Sequence, residues 1–197
     1  MQWQRDGYPP IPVAVNLSPR QLQSDRLLRE VDDVLEETGM DARFLELEIT
    51  ETALMQDADH SQAQLEALSV RGIRLAMDDF GVGYSSISLL KRFPIDILKI
   101  DRSFIRDLAN DNDDRANVAA IVAMGKAVAV KIVAEGVETQ EQLDYLRSQV
   151  CDEAQGFLFS KPLPVEELAT LFDSLGVLGH PVWPGAVARS EDGSVFG

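Results

Sequence analysis

The sequence predicts an α/β fold, a parallel (β/α)8 barrel of the TIM type that is incomplete. Short apolar segments alternate with segments of helical period about six times, which is typical of a parallel sheet covered by helices. Polar side chains lie at the ends of these apolar segments, at Asn16, Glu48, Asp78, Lys99 and Glu135. In a barrel these strand ends form the mouth where active sites lie. A doubly wound sheet is the alternative, but it binds ligands mainly at one switch point, so five polar strand ends favour the barrel.

The first half of the chain contains three of the predicted strands. They are Ile11–Leu17, Phe44–Thr50 and Ile73–Met77. Ser18 is expected to begin the first helix, with Gln21 completing a capping box, and the apolar spacing continues to Gly39. The next helix is expected to follow Glu51 and to end near Gly72.

The second half continues the same alternation. The predicted strands are Ile95–Ile100, Lys131–Ala134 and about Ala154–Phe159. The predicted helices are a short one around Ile87–Arg92, a longer one over about Asp114–Val128, and one from Val165 to about Leu175. Thr139 and Gln142 have the spacing of a second capping box, which predicts one further helix.

These boundaries divide the chain into three regions. Residues 1–10 are typical of the end of an upstream helix and a turn, and residues 11–175 form a partial barrel domain. Residues 176–197 are rich in glycine and proline and predict a loosely ordered tail. A full barrel has about 250 residues and eight strands, so we expect the first one or two βα units to be missing upstream.

The composition argues against several classes of protein. A net charge of −15 argues against binding to nucleic acid polymers or to anionic membranes. The chain has no signal peptide and no apolar run near the ~20 residues that span a bilayer. Cys151 is the only cysteine, which excludes an internal disulfide and fits a reducing compartment, so a cytoplasmic location is expected.

The polar strand ends offer oxygen ligands. Asn16, Glu48, Asp78, Asp79 and Glu135 carry amide or carboxylate oxygens, a donor set that prefers Mg²⁺ or Mn²⁺ to zinc. If the backbone turns between the two adjacent aspartates, each can hold one ion of a pair, as in phosphoryl transfer by two metals.

Individually, these residues also have purely structural interpretations. Lys99 can activate a water molecule or offset the charge of a phosphate, but it can equally form a salt bridge with Glu48 or Asp101. Asn16 is compatible with a turn at a helix entry, and Gln155 with a buried amide that has its hydrogen bonds satisfied. Their alignment at successive strand ends favours a site.

Six sequence blocks occur in order between about Pro12 and Leu175. They are VNLSPRQL (Val15–Leu22), LELEITE (Leu45–Glu51), DDFGVGYSS (Asp78–Ser86), LKIDRSF (Leu98–Phe104), VAEGVET (Val133–Thr139) and QGFLFSKPLP (Gln155–Pro164). In these blocks the chain resembles the EAL domain family, which comprises cyclic di-GMP phosphodiesterases and related receptors.

The resemblance implies an EAL-type barrel whose first strand is antiparallel to the rest, with two ions, Mg²⁺ or Mn²⁺, that serve hydrolysis of cyclic di-GMP to linear pGpG. The implied metal ligands are Asn16, Glu48, Asp78, Asp79 and Glu135. The implied catalytic and supporting residues are Lys99, Glu135, Glu51 and Glu138, with Asp101, Gln155 and Arg20 expected to bind substrate. The resemblance also implies a homodimer through helices beside the Asp79–Ser86 loop, coupled to an upstream sensor or cyclase-like domain.

The chain departs from the family pattern at two places. Val82 replaces the usual threonine, and the Glu-x-Leu motif of an early strand, whose glutamate is a metal ligand, is absent. We therefore expect the parent protein to be a phosphodiesterase and this chain to be impaired. The alternatives are a receptor that binds cyclic di-GMP or a protein partner without cleavage, and an unrelated Mg²⁺-dependent barrel enzyme such as an enolase-like lyase. Receptor members tend to lose acids from the aspartate pair or the last glutamate, and this chain keeps all three.

Overall fold

A computed structural model describes residues 10–82, 87–108 and 111–174, together with Tyr8. The six strands in this part of the chain are β1 (Val13–Asn16), β2 (Leu45–Thr50), β3 (Arg74–Phe80), β4 (Ile97–Ile100), β5 (Lys131–Ala134) and β6 (Glu153–Ala154). Its nine α-helices are α1 (Pro19–Leu22), α2 (Leu27–Thr38), α3 (Glu51–Met55), α4 (Ala58–Val70), α5 (Ile87–Arg92), α6 (Arg102–Arg106), α7 (Asn112–Val128), α8 (Gln140–Ser148) and α9 (Val165–Ser174). The predicted tail, the predicted helix end at residues 1–7 and part of the Asp79–Ser86 loop lie outside the described residues.

The described chain divides into two compact units. The N-terminal unit comprises Pro12–Asp101 and Ala123–Lys131, and the C-terminal unit comprises mainly Arg102–Val122 and the residues from Ile132 onward. Each unit has its own buried apolar side chains and its own parallel strands.

The N-terminal unit contains a sheet in which β1, β2, β3 and β4 are consecutive neighbours and all pairs are parallel. Its core is formed by strand and helix side chains that are at most 4% exposed, among them Leu47, Ile49, Leu54, Leu65, Leu68, Leu75, Met77 and Leu98. Such nearly continuous apolar strands are typical of a parallel sheet covered by helices. The predicted α/β class with parallel strands is confirmed.

The helices of this unit are more finely divided than predicted. The predicted helix from Ser18 to Gly39 consists of α1 and α2, although Gly39 ends it as expected, with a left-handed φ of +65°. The predicted helix after Glu51 also consists of two helices, α3 and α4. A new helix begins because the side chain of Asp57 accepts a hydrogen bond from the backbone N–H of His60 and caps α4.

The C-terminal unit contains β5 and β6, which pair in parallel with Val133 opposite Glu153. The predicted capping box of Thr139 and Gln142 is confirmed at the start of α8. The prediction of a last strand over Ala154–Phe159 is wrong, because β6 ends at Ala154. The chain turns after Gly156, where the Phe159 N–H donates to the Gly156 carbonyl over 3.1 Å.

In each unit an aspartate just before one strand accepts a hydrogen bond from the backbone near the start of the neighbouring strand. Asp96 directly precedes β4, and its Oδ2 accepts from the Leu75 N–H of β3 at 2.9 Å. Asp152 directly precedes β6, and its Oδ2 accepts from the Ile132 N–H of β5 at 2.8 Å. Beside Asp152 the buried Cys151 thiol is in hydrogen-bonding contact with the carbonyl oxygen of Glu153 at 3.4 Å.

Candidate functional site

The N-terminal unit presents polar side chains along the carboxyl ends of its four strands. In the strand register Asn16 lies opposite Glu48, and Thr50 lies opposite Asp78. Parallel strands end on the same edge of a sheet, so the register places the predicted residues of β1, β2 and β3 along one rim. Lys99 of β4 lies with them.

Lys99, Glu48 and Asp78 form the closest cluster on this rim. The Lys99 Nζ lies 2.5 Å from Glu48 Oε1 and 3.6 Å from Asp78 Oδ1. The three side chains are only 5%, 11% and 15% exposed, respectively. The sequence offered Glu48 and Asp101 as salt-bridge partners of Lys99, and the structure shows the pair with Glu48. Asp101 lies directly after β4 and is half-buried.

The adjacent aspartates lie at a β-bulge and not beyond the end of the strand. Between Met77 and Phe80 the pairing of β3 with β4 shifts by one residue, and Asp79 has a left-handed φ of 55°. Asp78 is half-buried as a result, whereas Asp79 is exposed. The backbone turn that the two-ion interpretation requires is therefore present.

The donor set fits a hard divalent cation. Asp78 Oδ1 is buried and has no hydrogen-bond partner among the described residues. A buried carboxylate oxygen without a hydrogen bond is costly unless a cation neutralises it, and Lys99 at 3.6 Å does so only in part. Oxygen atoms of Glu48, Asp78 and Asn16 are ligands that Mg²⁺ and Mn²⁺ prefer. In the same described part of the chain, no three His, Cys, Asp or Glu side chains are grouped closely enough to hold an ion.

Two further predicted residues of this unit lie on short helices. Glu51 is the first residue of α3 and only 6% exposed, and the Thr50 side chain caps this helix through the Ala53 N–H. Arg20 is exposed on α1. The letters Glu-Ala-Leu do occur at Glu66–Leu68, but these residues lie in α4 and not on a strand, so they do not replace the missing motif.

The C-terminal unit brings Glu135 and Gln155 together. Gln155 Nε2 donates to Glu135 Oε1 over 2.7 Å. The backbone supports this contact, because the Gln155 N–H donates to the Ala134 carbonyl at 2.8 Å and the Val137 N–H donates to the Gln155 carbonyl at 3.0 Å. Gln155 is exposed, so the interpretation of this residue as a buried amide is wrong. Glu138 is also exposed, three residues after Glu135.

A cavity of about 480 Å³ opens beside this pair. Its lining consists of Arg102, Glu135, Gly136, Glu138, Gln155, Gly156, Phe157, Ser160, Lys161, Pro162, Leu163, Leu168 and Leu171. Phe157 is 56% exposed, and the Lys161 ammonium lies 5.9 Å from the centre of its ring. One cation beside an exposed ring, with Arg102 elsewhere in the lining, is compatible with a ligand that carries both a phosphate group and a flat base.

The family model of the EAL domain matches residues 1–162 of this chain. The chain belongs to the EAL domain family. Its fold is an incomplete TIM-type barrel of the EAL type, as predicted.

Two curated EAL relatives are phosphodiesterases by name. The cyclic di-GMP phosphodiesterase NbdA of Pseudomonas aeruginosa is 47% identical over 82% of this chain and 21% of its own length. The bifunctional diguanylate cyclase/cyclic di-GMP phosphodiesterase MucR of the same organism is 46% identical over 84% of this chain and 24% of its own length. The chain therefore spans about a quarter or less of the length of these relatives.

The chain is also similar to solved structures of EAL proteins. The phosphodiesterase of Pseudomonas aeruginosa MucR, in complex with cyclic di-GMP, superposes with a TM-score of 0.81 at 46% identity, covering 85% of this chain and 68% of that one. The manganese and cyclic di-GMP complex of Klebsiella pneumoniae BlrP1 has a TM-score of 0.72 at 38% identity, covering 77% of this chain and 39% of that one.

Some residues of this EAL domain were not found from the sequence. Arg102, Phe157 and Lys161 line the cavity, although the last two lie in the block QGFLFSKPLP that carries the resemblance. Their position was a usable signal, because they closely follow Gln155. The Gln142 side chain also donates hydrogen bonds to the carbonyl oxygens of Ile105 and Arg106, and no local sequence signal predicts contacts between residues so far apart along the chain.

Proposed function

We propose that this EAL domain is part of a metal-dependent phosphodiesterase that hydrolyses cyclic di-GMP to linear pGpG. The observation that carries the proposal is the cluster of Glu48, Asp78 and Lys99 on the strand rim, next to the bulge at Asp79. The names of NbdA and MucR support it.

The residues that would hold the ions are Asn16, Glu48, Asp78, Asp79 and Glu135. When bound, Mg²⁺ or Mn²⁺ supplies an activated water and stabilises the charge of the phosphoryl group in the transition state. We infer two ions, because the bulge separates Asp78 from Asp79 by a change of backbone direction. The BlrP1 complex with manganese supports a divalent ion of this kind.

The other residues of the chain would position the substrate and the proton donors and acceptors. Lys99 carries a nearly buried ammonium that can donate to the attacking water or to a phosphate oxygen once Glu48 is otherwise engaged. Gln155, next to the cavity, would hold the substrate against Glu135. Asp101 and Arg20 are proposed to contact substrate, Glu138 to support the site, and Glu51 to anchor the Asp79–Ser86 loop.

We further infer the setting in which the domain works. A homodimer through the helices beside the Asp79–Ser86 loop would couple that loop to an upstream sensor or cyclase-like domain in the cytoplasm. The bifunctional name of MucR supports the cyclase-like neighbour. None of the helices in the described part of the chain has the length and apolar character to cross a membrane. Reduced activity of this chain compared with longer relatives stays a prediction.

Turnover tests the proposal directly. Purified chain is incubated with cyclic di-GMP and Mn²⁺ or Mg²⁺, and pGpG is measured by chromatography. Asp78→Asn keeps the shape of the side chain but removes a ligand charge, and we expect it to reduce turnover by about 100-fold or more. Asp33→Asn is the matched control, because Asp33 is an exposed aspartate of α2 and is not one of the rim residues.

One observation favours a second function, that of a receptor that binds cyclic di-GMP without cleaving it. The Lys99 ammonium already neutralises Glu48, which an ion would otherwise use. Binding of cyclic di-GMP without any pGpG, in wild type and Asp78→Asn alike, would support the receptor. Absence of cyclic di-GMP binding would contradict both functions, whereas absence of turnover alone also fits the reduced activity expected of this chain.

A further inference from the structure

The side chain of Gln142, the third residue of α8, is buried and only 5% exposed. Its Oε1 accepts from the backbone N–H groups of Glu138, at 2.7 Å, and Thr139, at 2.9 Å. Its Nε2 donates to the backbone carbonyl oxygens of Ile105, at 3.0 Å, and Arg106, at 3.2 Å. A primary amide has two N–H donors and one oxygen with two lone pairs, so every hydrogen-bonding position of this side chain is used.

Only the two accepted bonds lie at the start of the helix, and the one from the Thr139 N–H completes the capping box. A capping box requires an acceptor at the third helical position, and glutamate serves as well as glutamine. The two donated bonds cross to the last residues of α6 and tie the start of α8 to that helix. This second function requires the amide nitrogen of Gln142, which a carboxylate lacks.

The residues just before α8, Glu135–Glu138, are held at both ends by α6. At the first end Gly136 has a φ of +72°, and a Cβ placed there would lie only 2.6 Å from the Cβ of Arg102 in α6. At the other end Gln142 bonds Glu138. Between these points the Val137 N–H donates to the carbonyl of Gln155. A shift of Glu138 therefore cannot leave the Glu135–Gln155 contact in place unless the backbone between them deforms.

We propose that Gln142 is a positioning residue, which holds Glu135 against Gln155 by fixing the Glu135–Glu138 backbone to α6. Gln142 itself lies outside the cavity lining and touches no reacting group. Gln142 would hold this backbone whatever the function of the domain, whereas an effect of Gln142 on ion binding rests on the proposed function.

Gln142→Glu is the variant that isolates the donated bonds. It keeps the accepting oxygen of the capping box, removes both N–H donors and sets a carboxylate oxygen against two carbonyl oxygens. The matched control is Gln21→Glu, at the same position of the capping box of Ser18, where Gln21 Oε1 accepts from the Ser18 N–H at 3.0 Å on an exposed surface. If the buried carboxylate prevents folding, Gln142→Met is the uncharged variant of similar length. It removes the accepting oxygen as well as the two N–H donors, so its matched control is Gln21→Met.

The first readout is the side-chain amide of Gln155 in the NMR spectrum, measured without metal or nucleotide. In wild type and in Gln21→Glu we expect its Nε2 protons to have the shift and slow exchange of an amide bonded to a carboxylate. In Gln142→Glu or Gln142→Met we expect them to move to the position of a solvated amide. A folded Gln142 variant whose Gln155 signals match those of the wild type would overturn the proposal, as would a wild type whose Gln155 amide is already solvated.

The second readout is Mn²⁺ affinity, measured by the loss of free-ion paramagnetic resonance signal. We expect Gln142→Glu to bind Mn²⁺ about tenfold more weakly than wild type, with Gln21→Glu unchanged. A changed Gln155 signal in a protein that neither binds Mn²⁺ nor forms pGpG would contradict the proposed function and leave the positioning role supported. An unchanged Gln155 signal in a Gln142 variant of an active enzyme would contradict the positioning role and leave the proposed function supported.

Discussion

The Lys99 ammonium lies 2.5 Å from a carboxylate oxygen of Glu48, and both side chains are almost completely removed from water. Breaking a buried ion pair on one side leaves an uncompensated charge, which costs about 3–5 kcal/mol. We expect Lys99→Met to lower the free energy of unfolding by roughly this amount in urea titrations. Arg43→Met, which breaks an exposed pair with Asp41, should cost far less.

The same variant has a second expected result. Without the ammonium, Glu48 and Asp78 lack their neutralising neighbour on the rim, so added Mn²⁺ should raise the urea midpoint of Lys99→Met more than that of the wild type. An equal response of both proteins to the ion would mean that the two carboxylates do not bind it.

Gly156 and Gly39 give a matched pair of glycine substitutions. Both have positive φ, but a Cβ at Gly156 would overlap the backbone N and O of Val137, whereas a Cβ at Gly39 meets no atom within 4 Å. Gly39→Ala should cost about 1 kcal/mol for the left-handed backbone alone. Gly156→Ala should cost more than about 3 kcal/mol, because the turn that carries Gln155 must move away from Val137. Comparable unfolding midpoints for the two variants would contradict this packing.

For the aspartates that precede β4 and β6, we expect alanine variants to be less stable than asparagine variants. Asp96→Ala or Asp152→Ala leaves the N–H of Leu75 or Ile132 without its acceptor, and both of these residues are buried. The expected cost is about 1–3 kcal/mol for each alanine variant, measured by thermal or urea unfolding. The asparagine variants keep an accepting oxygen, so their stability should stay closer to that of the wild type.

The Asp32–Arg71 pair predicts a small dependence of stability on pH. Arg71 donates to both carboxylate oxygens of Asp32, at 2.7 and 2.9 Å, and these hydrogen bonds hold the pKa of Asp32 below its ordinary value of 3.8. A lowered folded-state pKa contributes stability that is fully present above the unfolded pKa and is lost as the pH falls through the folded-state pKa. The pair is half exposed and screened by water and salt, so we expect the contribution to stay below about 1 kcal/mol.

A comparison of Asp32→Asn with wild type measures this contribution. The difference in unfolding free energy should be present at pH 6 and should shrink progressively as the pH falls from about 4 through the lowered folded-state pKa of Asp32. Asp33→Asn on the same helix is the control. A difference that persists unchanged at the acidic end would rule out the ionised pair as its source.

Local signals predicted much of this fold. Capping boxes and Gly39 involve residues three or four positions apart or a single backbone angle, and the sequence displays them directly. The short helix α6 was missed. The break before α4 was missed although Asp57 is an ordinary capping residue, because the apolar spacing continues across it.

The sequence predicted that Glu48, Asp78 and Lys99 share one rim, and it missed features that depend on contacts between distant residues. The rim of Glu48, Asp78 and Lys99 follows from the parallel alternation of strands and helices. The bulge at Asp79 depends on the pairing of β3 with β4, which the sequence of β3 alone does not specify. The early end of β6 depends on the packing of Gly156 against Val137, a residue 19 positions earlier. Contacts between residues this far apart along the chain leave no local sequence pattern.

The burial of Cys151 makes it a reporter for the opening of the C-terminal unit. Burial raises the pKa of this thiol to about 12, so near neutral pH almost no reactive thiolate exists while Cys151 keeps its contacts with Ile132 of β5 and Glu153 of β6. The chain has no other cysteine, so an alkylating reagent has a single target. The rate at which the intact protein is alkylated therefore measures how often the strand pair behind Glu135 and Gln155 comes apart.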